Sequence, residues 1–225
     1  GTTQVTLYKT WNGSAWVSVG SVAGGTGAVL GLASDGKGGM YAVGNFTSIG
    51  GVSAVNVARW NGTAWVAMAT SADAGINAVA VAPNGLVYVG GDFTTINGIA
   101  AAYIAVWNGT SFAPLGSGLN NSVFVLTIYG NLLFAGGSFT QAGGFTLPDR
   151  GAFWNGSGWL PLDADFPGST SIFAADFAID GSLTVGFNTS GTMTTAGQAS
   201  VTNENKQYVY PIVTINGPTS GTSRI

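Results

Sequence analysis

The sequence predicts an all-β fold built from repeated four-stranded antiparallel sheets, and three observations predict it. A Trp-Asn-Gly phrase recurs at intervals of 49, 47 and 47 residues, beginning at Trp11, Trp60, Trp107 and Trp154. A second marker, the phenylalanine that follows a glycine-rich strand end, recurs at intervals of 47 and 46 residues, at Phe46, Phe93 and Phe139. Short β-prone runs separated by turn residues fill each interval. Two independent markers with one period favour a β-propeller of four-stranded blades.

Each Trp-Asn-Gly phrase is predicted to be the turn of a β-hairpin. With Asn61 and Gly62 as a two-residue type I′ turn, Trp60 lies opposite Thr63 and shares a face with Trp65. The repeated positions are Trp11, Asn12, Gly13, Trp16, Trp60, Asn61, Gly62, Trp65, Trp107, Asn108, Gly109, Phe112, Trp154, Asn155, Gly156 and Trp159. A fixed offset in every repeat favours rings that pack between blades as core. The alternative is that exposed rings stack on sugars.

The repeats divide the chain into units. The full units are predicted at about 28–69, 75–116 and 122–162, and a shorter fourth unit at 170–189 is completed by residues 4–20. The N-terminal strands would thus close the last blade, which gives a propeller over 1–189 with four blades. A five-blade count stays open. In that count residues 198–202 and 208–215 end blade four, and the N-terminal pair belongs to a fifth.

The composition excludes several classes of protein. A net charge of −3 and only 7% charged residues leave no basic stripe for nucleic acid. No run of about 18 apolar residues occurs, so we expect a soluble protein without membrane insertion. The chain has no cysteine, so packing rather than disulfide bonds must stabilise it.

Catalytic chemistry has few candidate groups. The chain contains no histidine and no cysteine, which removes the usual nucleophile–base pairs and zinc sites. Asp163 and Asp165 form the one conceivable carboxylate pair, but they lie between prolines and are expected to be loop acids. We therefore predict no enzyme activity and no metal or other cofactor. Calcium at Asp35 or Asp92 is the single exception left open.

Candidate binding residues are those that lie outside the repeated aromatic positions. Tyr8, Tyr103 and Phe145 are the aromatic candidates. Asp163 and Asp165 join them as polar groups that a ligand could contact.

Two segments carry a resemblance to known families. Val-Tyr-Val-Gly-Gly-Asp-Phe-Thr at 87–94, followed by Ala-Val-Trp-Asn-Gly at 105–109, resembles the kelch-like repeats of galactose-oxidase-type propellers found in bacterial and bacteriophage proteins. The C-terminal phrases at 201–206 and 210–218 look like the start of the β-sandwich domain of phage distal-tail and tail-component proteins. Glu204 or Asn205 stands where that family has glycine. Residues 190–225 would then begin a separate tail-type β domain that is incomplete at Ile225.

Together the resemblances imply a non-enzymatic virion protein of a phage tail, with a structural or host-surface-recognition role. Its partners would be other virion tail proteins or a host-surface glycan or protein, and it would form a homo-oligomer in the assembly. The implied location is the virion or the extracellular space. The alternative is a secreted bacterial lectin-like, glycan-binding propeller.

Overall fold

The computed structural model describes residues 6–11, 14–162, 171–179, 181–187 and 213–214. These residues are all-β and include no helix. The N-terminal hairpin consists of β1 (Thr6–Trp11) and β2 (Trp16–Ala23). The first unit consists of β3 (Ala28–Ser34), β4 (Met40–Asn45), β5 (Ser48–Ile49), β6 (Val52–Ser53), β7 (Val57–Trp60) and β8 (Trp65–Ala67).

The later units repeat this order. The second unit consists of β9 (Ile76–Val81), β10 (Val87–Gly91), β11 (Thr95–Ile96), β12 (Ile99–Ala100), β13 (Ile104–Trp107) and β14 (Phe112–Pro114). The third consists of β15 (Val123–Tyr129), β16 (Leu132–Gly137), β17 (Gln141–Ala142), β18 (Phe145–Thr146), β19 (Gly151–Trp154) and β20 (Trp159–Pro161). The fourth has β21 (Ile172–Phe177) and β22 (Leu183–Phe187), followed by β23 (Val213–Thr214).

Each full unit forms a four-stranded antiparallel sheet. The strand orders are β3-β4-β7-β8, β9-β10-β13-β14 and β15-β16-β19-β20, and no described sheet closes on itself. The second strand is the most buried, because the next sheet covers one of its faces and the preceding sheet the other. All five residues of β10 are buried, as a central strand requires. The predicted repeats therefore correspond to individual sheets.

Apolar clusters lie between consecutive units. Val43 and Val57 of the first unit pack with Val79 and Val89 of the second. Separate clusters join the second unit to the third and the third to the fourth. Accordingly, β3 packs against β9, β9 against β15, and β15 against β21. The units thus stack face to face in chain order, and each interface has its own core.

Glycine allows two of these sheets to approach closely. A Cβ on Gly90 of β10 would lie 2.6 Å from Cγ1 of Val123, and one on Gly136 of β16 would lie 2.7 Å from Cγ2 of Ile172. Both distances are far inside van der Waals contact, so a larger residue would push the next sheet away. The glycine-rich end of the second strand is therefore a packing requirement.

The first strand of every unit carries a β-bulge at the same position. The pairing of β3 with β4, β9 with β10, β15 with β16 and β21 with β22 shifts after one extra residue. The extra residues are Leu30, Asn77, Phe124 and Phe173. The equivalence of the four first strands is therefore established residue by residue, and Leu32 corresponds to Val79 and Leu126.

The two ends of the array are not paired with each other within the described ranges. Among the described residues, the N-terminal hairpin does not pair with β21 or β22. Instead β2 pairs with β5 through Val22–Ile49 and Ala23–Ser48. At the C-terminal end of the array, β22 pairs in parallel with β23. These two residues are the only described part of the segment 190–225. The rest of that segment lies outside the described residues.

The Trp-Asn-Gly hairpins have a different register from the predicted one. Trp60 lies directly opposite Trp65, not Thr63, so the loop contains four residues. The reason is the side chain of Asn61, whose Oδ1 accepts hydrogen bonds from Thr63 N (3.0 Å), Thr63 Oγ1 (2.9 Å) and Ala64 N (2.9 Å). This Asx turn replaces the backbone turn of type I′. Only Gly62 in this loop has a positive φ, of 100°.

The changed register brings the two rings of each hairpin into direct contact. Trp60 and Trp65 pack edge to face with centroids 5.6 Å apart, and the corresponding pairs of the second and third units pack similarly. The second ring of each pair is buried, at Trp65, Phe112 and Trp159. The first ring is half-buried. The second ring of each pair is therefore part of the core, and the first ring packs against it.

Candidate functional site

The residues proposed from the sequence for binding do not form one cluster. Phe145 lies on β18 and is exposed, whereas Tyr103 is half-buried against the core between the second and third units. No ring contact joins these two among the described residues. The backbone of Tyr8 pairs with Gly20, but its side chain lies outside the described residues, as do Asp163 and Asp165.

Three short hairpins form a repeated surface that the sequence analysis missed. They are β5–β6, β11–β12 and β17–β18, and each connects the second and third strands of its unit. We call this surface the hairpin face. The inner residue of each hairpin is buried, at Ile49, Ile96 and Ala142. The outer residue of each hairpin lies directly opposite, at Val52, Ile99 and Phe145. Val52 is half-buried against the core of the first unit, whereas Ile99 and Phe145 are exposed.

The turns of these hairpins are the type I′ turns that the sequence analysis expected elsewhere. Both central residues have positive φ, for example 49° at Asn97 and 76° at Gly98. The first and third hairpins use Gly50–Gly51 and Gly143–Gly144. Asn-Gly and Gly-Gly are the pairs that tolerate this geometry. The signal was present as a turn dipeptide with the period of the tryptophans, but the flanking strands are only two residues long.

The buried aromatic residue of the same unit supports each turn. In the first unit Trp65 Nε1 donates to Val19 O at 2.6 Å, and in the third Trp159 Nε1 donates to Leu115 O at 3.0 Å. The second unit has Phe112, which has no donor. There Asn97 Nδ2 donates at 3.0 Å to Met68 O, the carbonyl that corresponds to those of Val19 and Leu115.

The size of the buried ring determines which residue can occupy the first position of the turn. A Cβ on Gly50 would lie 2.5 Å from Trp65 Cδ1, and one on Gly143 would lie 3.0 Å from Trp159 Cδ1. Indole and a turn side chain therefore exclude each other. A smaller ring leaves room for asparagine, which supplies the missing donor. Asn97 Oδ1 also accepts from Thr70 N at 2.9 Å and so fixes the turn to the preceding loop.

A polar side chain clamps the base of the second and third hairpins. Asp73 Oδ1 accepts from Thr94 N (2.8 Å) and Thr95 N (2.9 Å), and Oδ2 accepts from Thr94 Oγ1. Partial burial raises the pKa of the Asp73 carboxyl, but the hydrogen bonds from Thr94 and Thr95 outweigh it and hold the pKa below its ordinary value. Asn120 makes the equivalent contacts to Thr140 and Gln141 in the third unit.

The hairpins themselves are uncharged. Residues 48–53, 95–100 and 141–146 include no Asp, Glu, Lys or Arg. Their outward groups are hydroxyls and amides beside the three apolar side chains. This surface can offer shape, apolar contact and neutral hydrogen bonds, and its hairpins hold no group that could transfer a proton near neutral pH.

The opposite ends of the strands carry an ion pair. Arg59 Nη2 donates to Asp35 Oδ2 at 2.9 Å, and Asp35 Oδ1 accepts from Lys37 N and Gly39 N. The hydrogen bond from Arg59, together with those from the backbone, lowers the pKa of Asp35. The same hydrogen bond raises the pKa of Arg59. These contacts close the turn between β3 and β4.

Neither carboxylate proposed for calcium stands beside further acidic ligands. The oxygens of Asp35 face donors, and Asp92 Oδ1 accepts from Asn77 Nδ2 at 3.2 Å. Across the described ranges, no group of three or more Asp, Glu, His or Cys residues is placed to hold a metal ion. Nothing helical in the described part of the chain is long and apolar enough to span a bilayer.

No protein-family model matches the chain, and no curated protein is significantly similar to it.

Proposed function

We propose that the chain is a non-enzymatic recognition module of a phage tail, built as a four-blade propeller that presents the hairpin face to a partner. The rigid stack of sheets is the platform, and the hairpins are the contact surface.

The N-terminal hairpin contacts the first unit as each unit contacts the next. Val22 of β2 pairs with Ile49, just as Ala72 bridges to Ile96 and Leu119 bridges to Ala142. Trp65 donates to Val19 O as Trp159 donates to Leu115 O. These equivalences support an N-terminal hairpin that is the outer half of a blade preceding the first unit.

No described strand occupies the position of the inner half of that blade, and the face of the first unit that it would cover is exposed. Leu32 on β3 is 57% exposed, whereas the equivalent Val79 and Leu126 are 8% and 7% exposed because the preceding unit covers them. Leu30, beside it, is 55% exposed. An inner strand pair laid on this face would bury both side chains, a gain of about 1 kcal/mol or more for each.

The fourth unit provides the inner strand pair that the N-terminal hairpin lacks. Its strands β21 and β22 correspond to the inner strands of the other units, and no Trp-Asn-Gly hairpin follows them in the sequence. Joined to the N-terminal hairpin, which would take the place of β23 at the edge of β22, they would make one complete blade and close a ring of four. Closure by strands from both termini would also cover the exposed edges of the array. The exposed Leu32 is the single observation that carries this proposal.

A recognition role suits this architecture better than catalysis. The hairpins have type I′ turns, buried anchors and polar clamps, so they hold exposed side chains in fixed positions. The chain has no histidine or cysteine and few charges. The phage-tail assignment rests on the resemblance of the repeats and of residues 201–218. The exposed Phe145 favours a second candidate, a secreted lectin-like module.

Immunogold electron microscopy tests the assignment. Antibodies against the recombinant chain are applied to phage particles and to the soluble secreted fraction from the source culture. We expect label on the tails of intact particles. Label only in the secreted fraction would refute the virion role and leave the lectin-like candidate.

A further inference from the structure

The outer residue of the hairpin face is a large apolar side chain in all three units. The positions are Val52, Ile99 and Phe145, and the last two are 39% and 66% exposed. The next position along each hairpin is also exposed but varies freely, as Ser53, Ala100 and Thr146. Three repeats that differ elsewhere on their surface thus agree on an apolar residue here.

Only in the first unit does the outer side chain, Val52, pack against a described core cluster. The buried residue of each hairpin, Ile49, Ile96 or Ala142, supplies the anchor to the core. Position 145 points to solvent, and exposed positions away from special features tolerate most residues. A phenylalanine that is two-thirds exposed on a rigid hairpin indicates a contact surface.

The residue types of the hairpin face indicate which class of ligand it fits. The three hairpins carry no charge, so they offer no electrostatic match to an acidic or basic partner. Each hairpin carries one such apolar side chain together with hydroxyl or amide side chains of its own. A sugar ring has the same division, because its apolar C–H face lies beside hydroxyl groups. A flat aromatic ring binds the apolar face of a sugar by stacking on it, and neighbouring polar groups bind the hydroxyls.

We propose that the hairpin face binds a neutral glycan chain of hexopyranose units, with the ring of Phe145 stacking on one sugar and Ile99 contacting another. This inference rests on the proposed recognition function and names its ligand class. Val52 is half-buried and contributes least. Gln141 and Thr146 pair with each other beside Phe145 and offer hydrogen-bonding side chains for the hydroxyls of a sugar on that ring.

Isothermal titration calorimetry with neutral malto-, cello-, manno- and chito-oligosaccharides tests the proposal. We expect at least one series to bind, and Phe145→Ala to weaken that binding about tenfold, the equivalent of about 1.4 kcal/mol. Ile99→Ala should weaken it by about threefold. Phe145→Tyr should retain it, because the stacking face remains.

Val66→Ala is the matched control. Val66 is a 48% exposed apolar residue on the outer strand β8, and it does not belong to the hairpins. Its replacement should leave affinity unchanged. Equal losses for Val66→Ala and Phe145→Ala, or no loss for Phe145→Ala, would overturn the assignment of the site.

The salt dependence supplies a second readout. Binding to an uncharged surface should change by less than about twofold between low and high ionic strength, since screening acts only on charges. A steep fall with salt would overturn the neutral-glycan assignment. If no oligosaccharide series binds but the antibodies still label phage tails, the glycan inference fails and the proposed recognition function stands. If no oligosaccharide binds and the antibodies do not label phage tails, both the glycan inference and the proposed recognition function are refuted.

Discussion

The exchange of tryptophan for phenylalanine beneath the hairpin turns makes a quantitative prediction. The first and third units pair glycine with tryptophan, at Gly50 with Trp65 and Gly143 with Trp159, whereas the second pairs Asn97 with Phe112. If these are two solutions to one packing problem, Asn97→Gly and Phe112→Trp should each destabilise the protein. The double variant should recover most of the loss.

The magnitudes follow from the contacts. Asn97→Gly removes the hydrogen bonds to Met68 O (3.0 Å) and from Thr70 N (2.9 Å). At about 1 kcal/mol each, less a few tenths for relief of the positive φ, the cost is about 1.5 kcal/mol. Phe112→Trp alone forces the indole against the Asn97 side chain, an overpacking cost of about 1–3 kcal/mol. In the double variant the indole donates to Met68 O without a clash.

Urea denaturation at equilibrium measures the four free energies of unfolding in this cycle. We expect the double variant to lie within about 1 kcal/mol of the wild type, so that the two changes couple by about 2 kcal/mol. Val66→Ala combined with Asn97→Gly is the control pair, and it should be additive. Additive costs in the Asn97–Phe112 cycle would refute the residue-by-residue equivalence of the units.

Three further predictions concern single sites. Because the pKa of Asp73 is lower in the folded protein than its ordinary 3.8, its contribution to stability is complete above about pH 5 and is lost as the pH falls through the lowered value. Asp73→Asn, which copies Asn120, should therefore flatten the acid limb of the stability curve while costing less than about 1 kcal/mol at pH 7. Arg59→Met should cost no more than about 0.5 kcal/mol because Arg59 is 44% exposed, whereas Asp35→Ala should cost more because Lys37 N and Gly39 N also lose their acceptor. Urea titrations of both variants check this order, and a larger loss for Arg59→Met would contradict it. Leu32→Asp should destabilise the protein by at least about 2 kcal/mol and Val66→Asp by less than about 1 kcal/mol, because only Leu32 would be covered in a closed ring. Thermal unfolding measures both losses, and equal losses would contradict the covering of Leu32.

The repeat period predicts the sheets, because each sheet is a local unit whose strands follow one another in the chain. The markers at Trp60 and Phe93 predicted the four strands of the main sheet in each full unit. The register of the Trp-Asn-Gly hairpins was wrong, because the Asn61 side chain can accept the hydrogen bonds that a backbone turn would otherwise provide. Dipeptide preference does not distinguish these two turns.

The hairpin face was missed for a different reason. A strand of two residues, such as Thr95–Ile96, has no alternation to detect, and its pairing depends on a buried anchor in another part of the sheet. Phe145 was nevertheless identified as a candidate, because it departs from the repeated aromatic positions. The partner of the N-terminal hairpin is a long-range contact, so local sequence pattern does not determine it.

Cross-linking of the first unit to the fourth tests the closed ring most directly. The chain has no native cysteine, so Leu32→Cys with Ala174→Cys places one thiol on each open face. A bismaleimide whose reach matches the about 10 Å between packed sheets should join them within one chain. We predict a cross-linked monomer. No cross-link, or a cross-link only between chains, would contradict the closed four-blade ring.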